Sequence, residues 1–288
     1  SFDQSIQEKL QKSVTEGLSK ELEGAAVCVD NSSQMIVAIV GGKSEKDEFN
    51  RAFLSERNPG SSIKPLLDYG PALNEGVATP ATVLNDEPID YNGYSPKNAY
   101  SGHLGPITVR EALARSVNTV AVKLFQQTGN DVCLSYLEKM KFSSLCYADS
   151  TIASISLGGM TYGVKPVDMA KGYSTLANGG KYVDNDCITK LEREDGSIVY
   201  QPHGNTKEIY SVDTAYMLTD MLQGVFREEY GTANQLYKKG KILAGKTGTT
   251  DDNKDAWFCG YSVDYTTVVW TGCDTPKTIE GLTGSSYP

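Results

Sequence analysis

Ser61 and Lys64 stand three residues apart, a spacing that can join a nucleophile to its base. A serine hydroxyl attacks poorly until a base takes its proton. If Pro59-Gly60 forms a turn and a helix begins at Ser61, Lys64 lies one turn along on the same helical face. Pro65 is tolerated there, because the first N–H groups of a helix have no intrahelical partner. The spacing predicts acyl transfer through Ser61, provided that the pKa of Lys64 falls well below about 10.4.

Two further patterns supply what Lys64 needs. Burial and a second cation both lower the pKa of a lysine, and Lys246 in Lys246-Thr247-Gly248 is the natural second cation. Ser116 and Asn118 interrupt the helical run 109–127, since their side chains compete with the backbone for hydrogen bonds. On the functional interpretation, Ser116 relays protons between Lys64 and Lys246, while Asn118 holds a substrate amide. On the other interpretation, Asn118 only caps a second helix.

The run Lys246-Thr247-Gly248-Thr249 reads as the end of a strand. The two-residue period of a strand puts Thr247 and Thr249 on one side, where two hydroxyls can hold a carboxylate. Gly248 leaves room for a peptide to lie beside the strand. The backbone N–H groups of Thr249 and Ser61 are predicted to form an oxyanion hole, each donor being worth about 10²–10³ in rate.

None of the three patterns is specific alone, but together and in this order they form a known acyl-transfer signature. Other chemistries have little support. The chain has two histidines, His103 and His203, and neither has the neighbours of a zinc protease or a hydrolase triad. We expect His103 to be a loop residue. No cofactor and no metal site are predicted.

The elements that must position these residues point to an α+β fold. Ile6, Leu10, Val14, Leu18 and Leu22 recur every four residues and predict one amphipathic helix. The runs 25–30 and 35–40 predict a hairpin, and 242–249, 257–262 and 266–273 predict further strands. We expect one antiparallel sheet flanked by helices, built from roughly 1–58 and 230–288, and a helical part over roughly 59–229.

Three local signals mark helix ends in the middle of the chain. Thr108 with Glu111 forms a capping pattern, and Ser211 precedes another helical run. Asn178-Gly179-Gly180 is predicted to end a third helix, because glycine readily adopts the left-handed conformation found there.

Composition narrows the class of protein. The 288 residues are 39% hydrophobic and 22% charged, and no repeat or linker divides them, so we expect a single domain. A net charge of −9 makes nucleic acid an unfavourable partner. No apolar run reaches the roughly 18 residues of a membrane span, and the start resembles no signal peptide. Because the first residue is not Met, we expect a piece of a longer protein.

The six cysteines do not form a recognisable metal or redox site, since none belongs to a Cys-x-x-Cys pair. Cys28 and Cys259 lie in apolar strand-like runs, where a thiol behaves as a small hydrophobic group. We expect free, buried cysteines, with a Cys133–Cys146 bridge as the best candidate for an exception. The remaining cysteines are Cys187 and Cys273.

Beyond these motifs, the sequence resembles the transpeptidase domain of class A, bifunctional penicillin-binding proteins. The resemblance covers nearly the whole chain and is carried by ordered segments. They are Phe49-Asn50-Arg51-Ala52, Asn58 to Pro65, Tyr94-Ser95-Pro96-Lys97-Asn98, Ile107 to Leu113, Leu157-Gly158-Gly159, Gly163 to Pro166, Ala177 to Gly180, Ala244 to Thr250 and Asp255-Ala256-Trp257-Phe258.

The resemblance implies a penicillin-binding or serine β-lactamase-like fold, with a helical subdomain, and assigns the roles by position. Ser61 is the nucleophile, Lys64 the acylation base, Ser116 part of the proton relay and Asn118 a substrate-positioning residue. Terminal-carboxylate binding falls to Lys246, Thr247 and Thr249, with Gly248 beside them, and the oxyanion donors are Ser61 and Thr249.

The implied reaction joins two peptidoglycan stems. A stem ending in D-Ala-D-Ala acylates Ser61 with loss of D-Ala, and an amine on a second stem resolves the acyl-enzyme. Penicillins resemble the donor terminus and are expected to trap Ser61. Proteins of this family carry an N-terminal membrane anchor and a glycosyltransferase domain, and we expect neither of them within these 288 residues. The resemblance also implies a location in the cell wall, at the outer face of the cytoplasmic membrane.

Other functions remain open at the level of sequence. A D,D-carboxypeptidase uses water in place of the amine, and a penicillin-sensing receptor acylates without turnover. A β-lactamase is disfavoured, because we find no segment with its deacylating Glu. An inactive wall-binding scaffold is disfavoured by the intact motif set.

Overall fold

The computed structural model describes residues 3–19, 21–44, 48–91, 93–184, 188, 190–201 and 205–288. The expectations for Cys187 and His203 lie outside these residues. Among the helices of the described ranges, none combines the length and the apolar character that crossing a bilayer requires.

The helices of the described residues follow one another in chain order. They are α1 (Gln4–Gly17), α2 (Arg51–Leu54), α3 (Gly70–Asn74), α4 (Val109–Arg115), α5 (Asn118–Thr128), α6 (Asn130–Lys139), α7 (Pro166–Ala177) and α8 (Val212–Arg227).

The strands are β1 (Glu23–Asp30), β2 (Met35–Val40), β3 (Val83–Asp86), β4 (Gly105–Thr108), β5 (Lys181–Val183), β6 (Leu191–Glu192), β7 (Ile198–Tyr200), β8 (Thr206–Glu208), β9 (Ala244–Thr249), β10 (Asp255–Tyr261) and β11 (Tyr265–Gly272).

One five-stranded antiparallel sheet joins the two ends of the chain. Its order is β2-β1-β11-β10-β9, so β9 lies at an edge. Helix α1 covers one face, where Val14 packs with Ala26 and Val40. Helices α7 and α8 pack on the strands from the other side, over the large core that contains Trp257 and Trp270. The predicted α+β class with an antiparallel sheet is confirmed.

The predicted first helix is too long. Helix α1 ends at Gly17, and Leu18 is already extended. Glycine is a poor helix former, and the chain must straighten here to enter β1 at Glu23. Leu22 therefore leaves the helical face and packs instead with Ala256, Cys273 and Leu282.

The predicted helix ends in the middle of the chain are confirmed. The Thr108 hydroxyl accepts a hydrogen bond from the N–H of Glu111 at 3.1 Å, and Ser211 does the same for Thr214 at 3.1 Å. Helix α7 ends where the N–H of Gly180 donates to the carbonyl of Thr175 at 2.9 Å. Three two-stranded ladders, β3-β4, β5-β8 and β6-β7, were not predicted. Their strands have two to four residues, too few to show an alternating pattern.

The five described cysteines are free, as expected, but the proposed Cys133–Cys146 bridge is wrong. Cys133 is buried on α6, where its thiol points at the carbonyl of Phe125 on α5, 3.9 Å away. Cys146 is half-buried ahead of the short helical turn Tyr147–Thr151. Cys28, Cys259 and Cys273 are buried.

A buried ion pair ties the sheet to the segment that leads to Ser61. Asp255, at the start of β10, accepts a hydrogen bond from Arg57 Nε at 2.6 Å and another from Trp270 Nε1 at 2.9 Å. The Arg57 guanidinium also lies 5.2 Å from the centre of the Trp270 ring. One step further along, Trp257 Nε1 donates to the carbonyl of Asn58 at 2.9 Å. These contacts fix the backbone directly before Ser61.

We expect Asp255→Asn to lower the free energy of unfolding by about 3–5 kcal/mol, because it leaves the buried Arg57 without a counter-charge. Asp252→Asn is the matched control. Its partner Lys254 is 3.0 Å away, but the two side chains are 66% and 40% exposed, so the cost is below about 1 kcal/mol. Denaturant unfolding measures both, and equal losses would contradict a structural role for the Asp255–Arg57 pair.

Candidate active site

Ser61 lies in a short run of helix whose geometry changes at every turn. A 3₁₀ turn spans Gly60–Ile63, a π-helical turn spans Pro65–Tyr69, and α3 follows. Helix therefore begins one residue before the predicted start, and Pro65 opens the second turn. Single π-turns inside helices occur frequently at functional sites.

The side chain of Lys64 is completely buried and points at the break between α4 and α5. Its Nζ donates to Asn118 Oδ1 at 2.5 Å and to the Ser116 carbonyl at 2.9 Å, and it lies 3.4 Å from Ser116 Oγ. The structure therefore joins the first two sequence patterns directly.

The break itself depends on Ser116. This residue adopts the left-handed conformation, with φ 60° and ψ 37°, and ends α4, while α5 begins at Asn118. The predicted interruption is confirmed. The left-handed turn places both the carbonyl and the hydroxyl of Ser116 within hydrogen-bond distance of Lys64 Nζ.

Lys246 on β9 is the second buried cation, and it interacts electrostatically with Lys64. Burial first, and then the charge of Lys64, hold the pKa of Lys246 well below 10.5. Burial also lowers the pKa of Lys64 from 10.5 to about 7, opposed in part by the Asp68 carboxyl. At neutral pH, a substantial fraction of Lys64 is therefore an uncharged amine that can accept a proton.

Asp68, which the sequence patterns did not single out, lies in the π-helical turn one helical turn beyond Lys64. It is completely buried, and neither carboxylate oxygen has a hydrogen-bond partner among the described residues. Burial raises the pKa of Asp68 well above 3.8, against the attraction of Lys64. Only the ionised form of Asp68 would raise the pKa of Lys64, and because burial disfavours that form, the lowering of the Lys64 pKa by burial prevails.

The end of β9 contacts the turn that carries Ser61. A Cβ atom on Gly248 would lie 2.5 Å from the Pro59 carbonyl oxygen and 2.9 Å from Ser62 Oγ. A Cβ atom on Gly60, whose φ is +53°, would likewise lie 2.5 Å from the Thr249 carbonyl oxygen. Because Gly248 has no side chain, the strand can approach the turn that carries Ser61.

The two threonines of β9 have further partners that the sequence did not suggest. Thr247 Oγ1 lies 2.7 Å from Thr232 Oγ1, and Thr249 Oγ1 accepts a hydrogen bond from the N–H of Gly284 at 3.1 Å. Segments on either side of β9 therefore hold both hydroxyls in place.

An open cleft of about 780 Å³ exposes part of this cluster. Ser61, Asn118 and Thr249 line it, together with Tyr94, Lys97, Gly158 and Asp251. Lys64 and Lys246 lie below the surface, with no exposed area. The arrangement suits covalent attack by Ser61 on a bound acyl group, with the protons handled by buried amines.

A segment outside the three motifs also takes part. Asn118 Nδ2 donates to the carbonyl of Lys97 at 2.6 Å, and the Asn118 N–H donates to Asn98 Oδ1 at 2.9 Å. Only the family resemblance pointed to Tyr94–Asn98, because no local pattern links residues about twenty positions apart. His103 is a loop residue, as expected, and lies 3.1 Å from Asp86.

Residues 24–278 match the model of the penicillin-binding protein transpeptidase domain. The chain belongs to this family. The predicted resemblance, the fold class and the serine acyltransferase type are thereby confirmed.

The similar proteins agree with this assignment. The chain is 35% identical to penicillin-binding protein 4 of Bacillus subtilis over 263 residues, covering 91% of this chain and 42% of that protein. It is 36% identical to penicillin-binding protein 1A of Clostridium botulinum over 277 residues, covering 92% of this chain and 33% of that protein. The chain thus spans less than half the length of these relatives.

A solved structure is also similar. Penicillin-binding protein 1A from Haemophilus influenzae superposes with a TM-score of 0.79 at 25% identity, over 93% of this chain and 46% of that one. Penicillin-binding proteins 1A thus occur both among the sequence relatives and among the similar solved structures, in agreement with the resemblance to class A proteins.

We expect Gly248→Ala to lower the free energy of unfolding by about 1–3 kcal/mol, because the methyl group must push β9 away from Pro59 and Ser62. Gly17→Ala is the control, since a Cβ atom there meets nothing within 4 Å. That change should leave stability equal or raise it by up to about 1 kcal/mol. A Gly248→Ala protein as stable as the wild type in denaturant unfolding would contradict the close approach.

Proposed function

We propose that this domain is a D,D-transpeptidase that cross-links peptidoglycan stem peptides through an acyl-enzyme on Ser61. The observation that carries the proposal is the buried Lys64, whose pKa is lowered to about 7 beside Ser116 and Asn118. A lysine with an ordinary pKa is charged at neutral pH and cannot act as a base.

The first half of the reaction acylates Ser61. Lys64 takes the proton of the Ser61 hydroxyl as its oxygen bonds to the penultimate D-Ala carbonyl carbon. The N–H groups of Ser61 and Thr249 stabilise the oxyanion, as donors aimed at a developing charge do in acyl transfer. The C–N bond to the terminal D-Ala then breaks, and its amine receives a proton through Ser116 from the two lysines.

Substrate binding uses the rest of the cluster. Lys246, Thr247 and Thr249 hold the terminal carboxylate, whose negative charge favours the protonated form of Lys246. Asn118 holds an amide of the donor. The free edge of β9 accepts the extended donor peptide as an added strand, and this requires Gly248 to keep the strand close to the Ser61 turn.

In the second half, an amine on a neighbouring stem attacks the Ser61 ester and gives the cross-link. Lys64 takes a proton from this amine and passes it to the leaving Ser61 oxygen, so that Ser61 regains its hydroxyl and Lys64 its neutral amine. The partners are therefore a D-Ala-D-Ala donor stem, an amine acceptor stem and, as covalent inhibitors, β-lactams. Residues 1–288 act as a single transpeptidase unit, and the substrate places it in the cell wall outside the cytoplasmic membrane.

We expect benzylpenicillin to add one drug mass to the protein, on the peptide that contains Ser61, in an adduct stable for many minutes. Ser61→Ala should abolish labelling and keep the fold. Lys64→Ala should slow labelling by about 10²–10⁴-fold through loss of the base, whereas Lys12→Ala, on the exposed face of α1, should leave the rate unchanged. Intact-protein and peptide mass spectrometry measure all four, and an adduct elsewhere would overturn the assignment.

The same protein, given a peptide ending in D-Ala-D-Ala and an amine acceptor, separates the related functions. Cross-linked product supports the transpeptidase. Release of D-Ala with water as the only acceptor identifies a carboxypeptidase, and a stable drug adduct with no peptide turnover identifies a receptor. Rapid hydrolysis of the drug identifies a β-lactamase.

A further inference from the structure

Asp86 is a buried carboxylate at the end of β3, outside all three motifs, with 1% of its surface exposed. Although burial opposes its charge, hydrogen bonds led by those from Thr119 and Tyr100 hold the pKa of Asp86 well below its usual range. Its contacts are Thr119 Oγ1 at 2.6 Å, Tyr100 OH at 2.6 Å, the Leu104 N–H at 2.7 Å, Asn98 Nδ2 at 2.8 Å and His103 Nδ1 at 3.1 Å.

These contacts come from two separate parts of the chain. One is the loop 98–104, and the other is the first turn of α5, where Thr119 directly follows Asn118. Asp86 thus bonds to the residue after Asn118 and, at the same time, to the loop that faces Asn118. A single carboxylate connects the two segments.

The loop in turn holds Asn118. Asn98, which donates to Asp86, accepts the Asn118 N–H on its own oxygen at 2.9 Å. The adjacent Lys97 carbonyl accepts Asn118 Nδ2 at 2.6 Å. Asn118 Oδ1 accepts a hydrogen bond from Lys64 Nζ at 2.5 Å. One orientation of the Asn118 amide therefore satisfies both its oxygen and its NH₂ group.

We propose that Asp86 is a positioning residue for Asn118, fixing the amide that binds the donor's own amide group. This inference rests on the proposed function. An ionised carboxylate only accepts hydrogen bonds, so it suits this set of donors. An Asn in its place presents an NH₂ group to some of those donors and breaks the connection between the loop and α5.

The effect should depend on whether the ligand carries an amide for Asn118. Benzylpenicillin has a side-chain amide, whereas 6-aminopenicillanic acid has the same rings and carboxylate with a free amine in that place. We expect Asp86→Asn to slow acylation of Ser61 by benzylpenicillin about tenfold more than acylation by 6-aminopenicillanic acid. A tenfold change corresponds to about 1.4 kcal/mol, the scale of one hydrogen bond.

Asp149→Asn is the matched control. Asp149 is also 1% exposed and holds a loop through the Thr161 N–H at 2.8 Å, Thr161 Oγ1 at 2.8 Å and the Cys146 N–H at 3.0 Å. It has no contact with Asn118 among those bonds. This variant should lose stability while the ratio of the two acylation rates stays at the wild-type value.

Two further variants keep the test decisive if Asp86→Asn folds poorly. Tyr100→Phe removes one donor to Asp86 from the loop side and should shift the rate ratio in the same direction by a smaller factor. In an Asn118→Ala background, Asp86→Asn should cause no further shift of the ratio, because its effect passes through Asn118. Stopped-flow acylation of the folded fraction gives each rate.

A wild-type ratio in both Asp86→Asn and Tyr100→Phe overturns the proposal, as does an equal shift in Asp149→Asn. A further shift by Asp86→Asn in the Asn118→Ala background also overturns it. Failure of the wild type to react with either drug at Ser61 contradicts the proposed function instead, so the two failures are distinguishable.

Discussion

The desolvation of two lysines is the constraint on which the site depends. Lys64 and Lys246 are both completely buried, and the charge of Lys64 lowers the pKa of Lys246. Burial also raises the pKa of the Asp68 carboxyl beside Lys64, so this group compensates the charge of Lys64 only in part. Taking a cation out of water is costly, so a buried lysine sheds its proton unless it is paired. Burial of Lys64 therefore lowers the stability of the fold, and the same burial leaves part of the amine uncharged and reactive at neutral pH. The acceptors around Lys64 Nζ then decide where that amine points.

The rest of the molecule can be understood as the support for this buried pair. Lys64 and Lys246 are 182 positions apart in the sequence, and the sheet built from both ends of the chain brings them together. The Arg57–Asp255 pair fixes the backbone before Ser61, and glycines at 60 and 248 allow β9 to touch the turn that carries Ser61. On the far side, Asp86 connects the loop after Lys97 to the start of α5. Each of these contacts joins parts of the chain that are well separated in sequence.

Sequence reasoning predicted what local chemistry determines. The helix break at Ser116, the caps at Thr108 and Ser211 and the hairpin before Val40 depend on residues within a few positions of each other, so their patterns are readable. The errors arose where distant packing decides: Gly17 ends α1 early because the chain turns into the sheet, and Cys133 faces α5 rather than Cys146. Asp68 and Asp86 went unnoticed, because their importance lies in partners that only the fold brings near. The sequence patterns pointed to Lys64, Ser116 and Asn118, which the fold brings into contact, but not to the buried carboxylates beside them.

The most direct test of this account is the titration of Lys64 itself. In protein labelled with ¹³C at the lysine Cε position, the resonance that disappears in Lys64→Ala belongs to Lys64, and its chemical shift can be followed against pH. The account predicts a midpoint at about 7. A midpoint near the ordinary value of about 10.4 would contradict it, because Lys64 would then be charged at neutral pH and unable to accept the proton of Ser61.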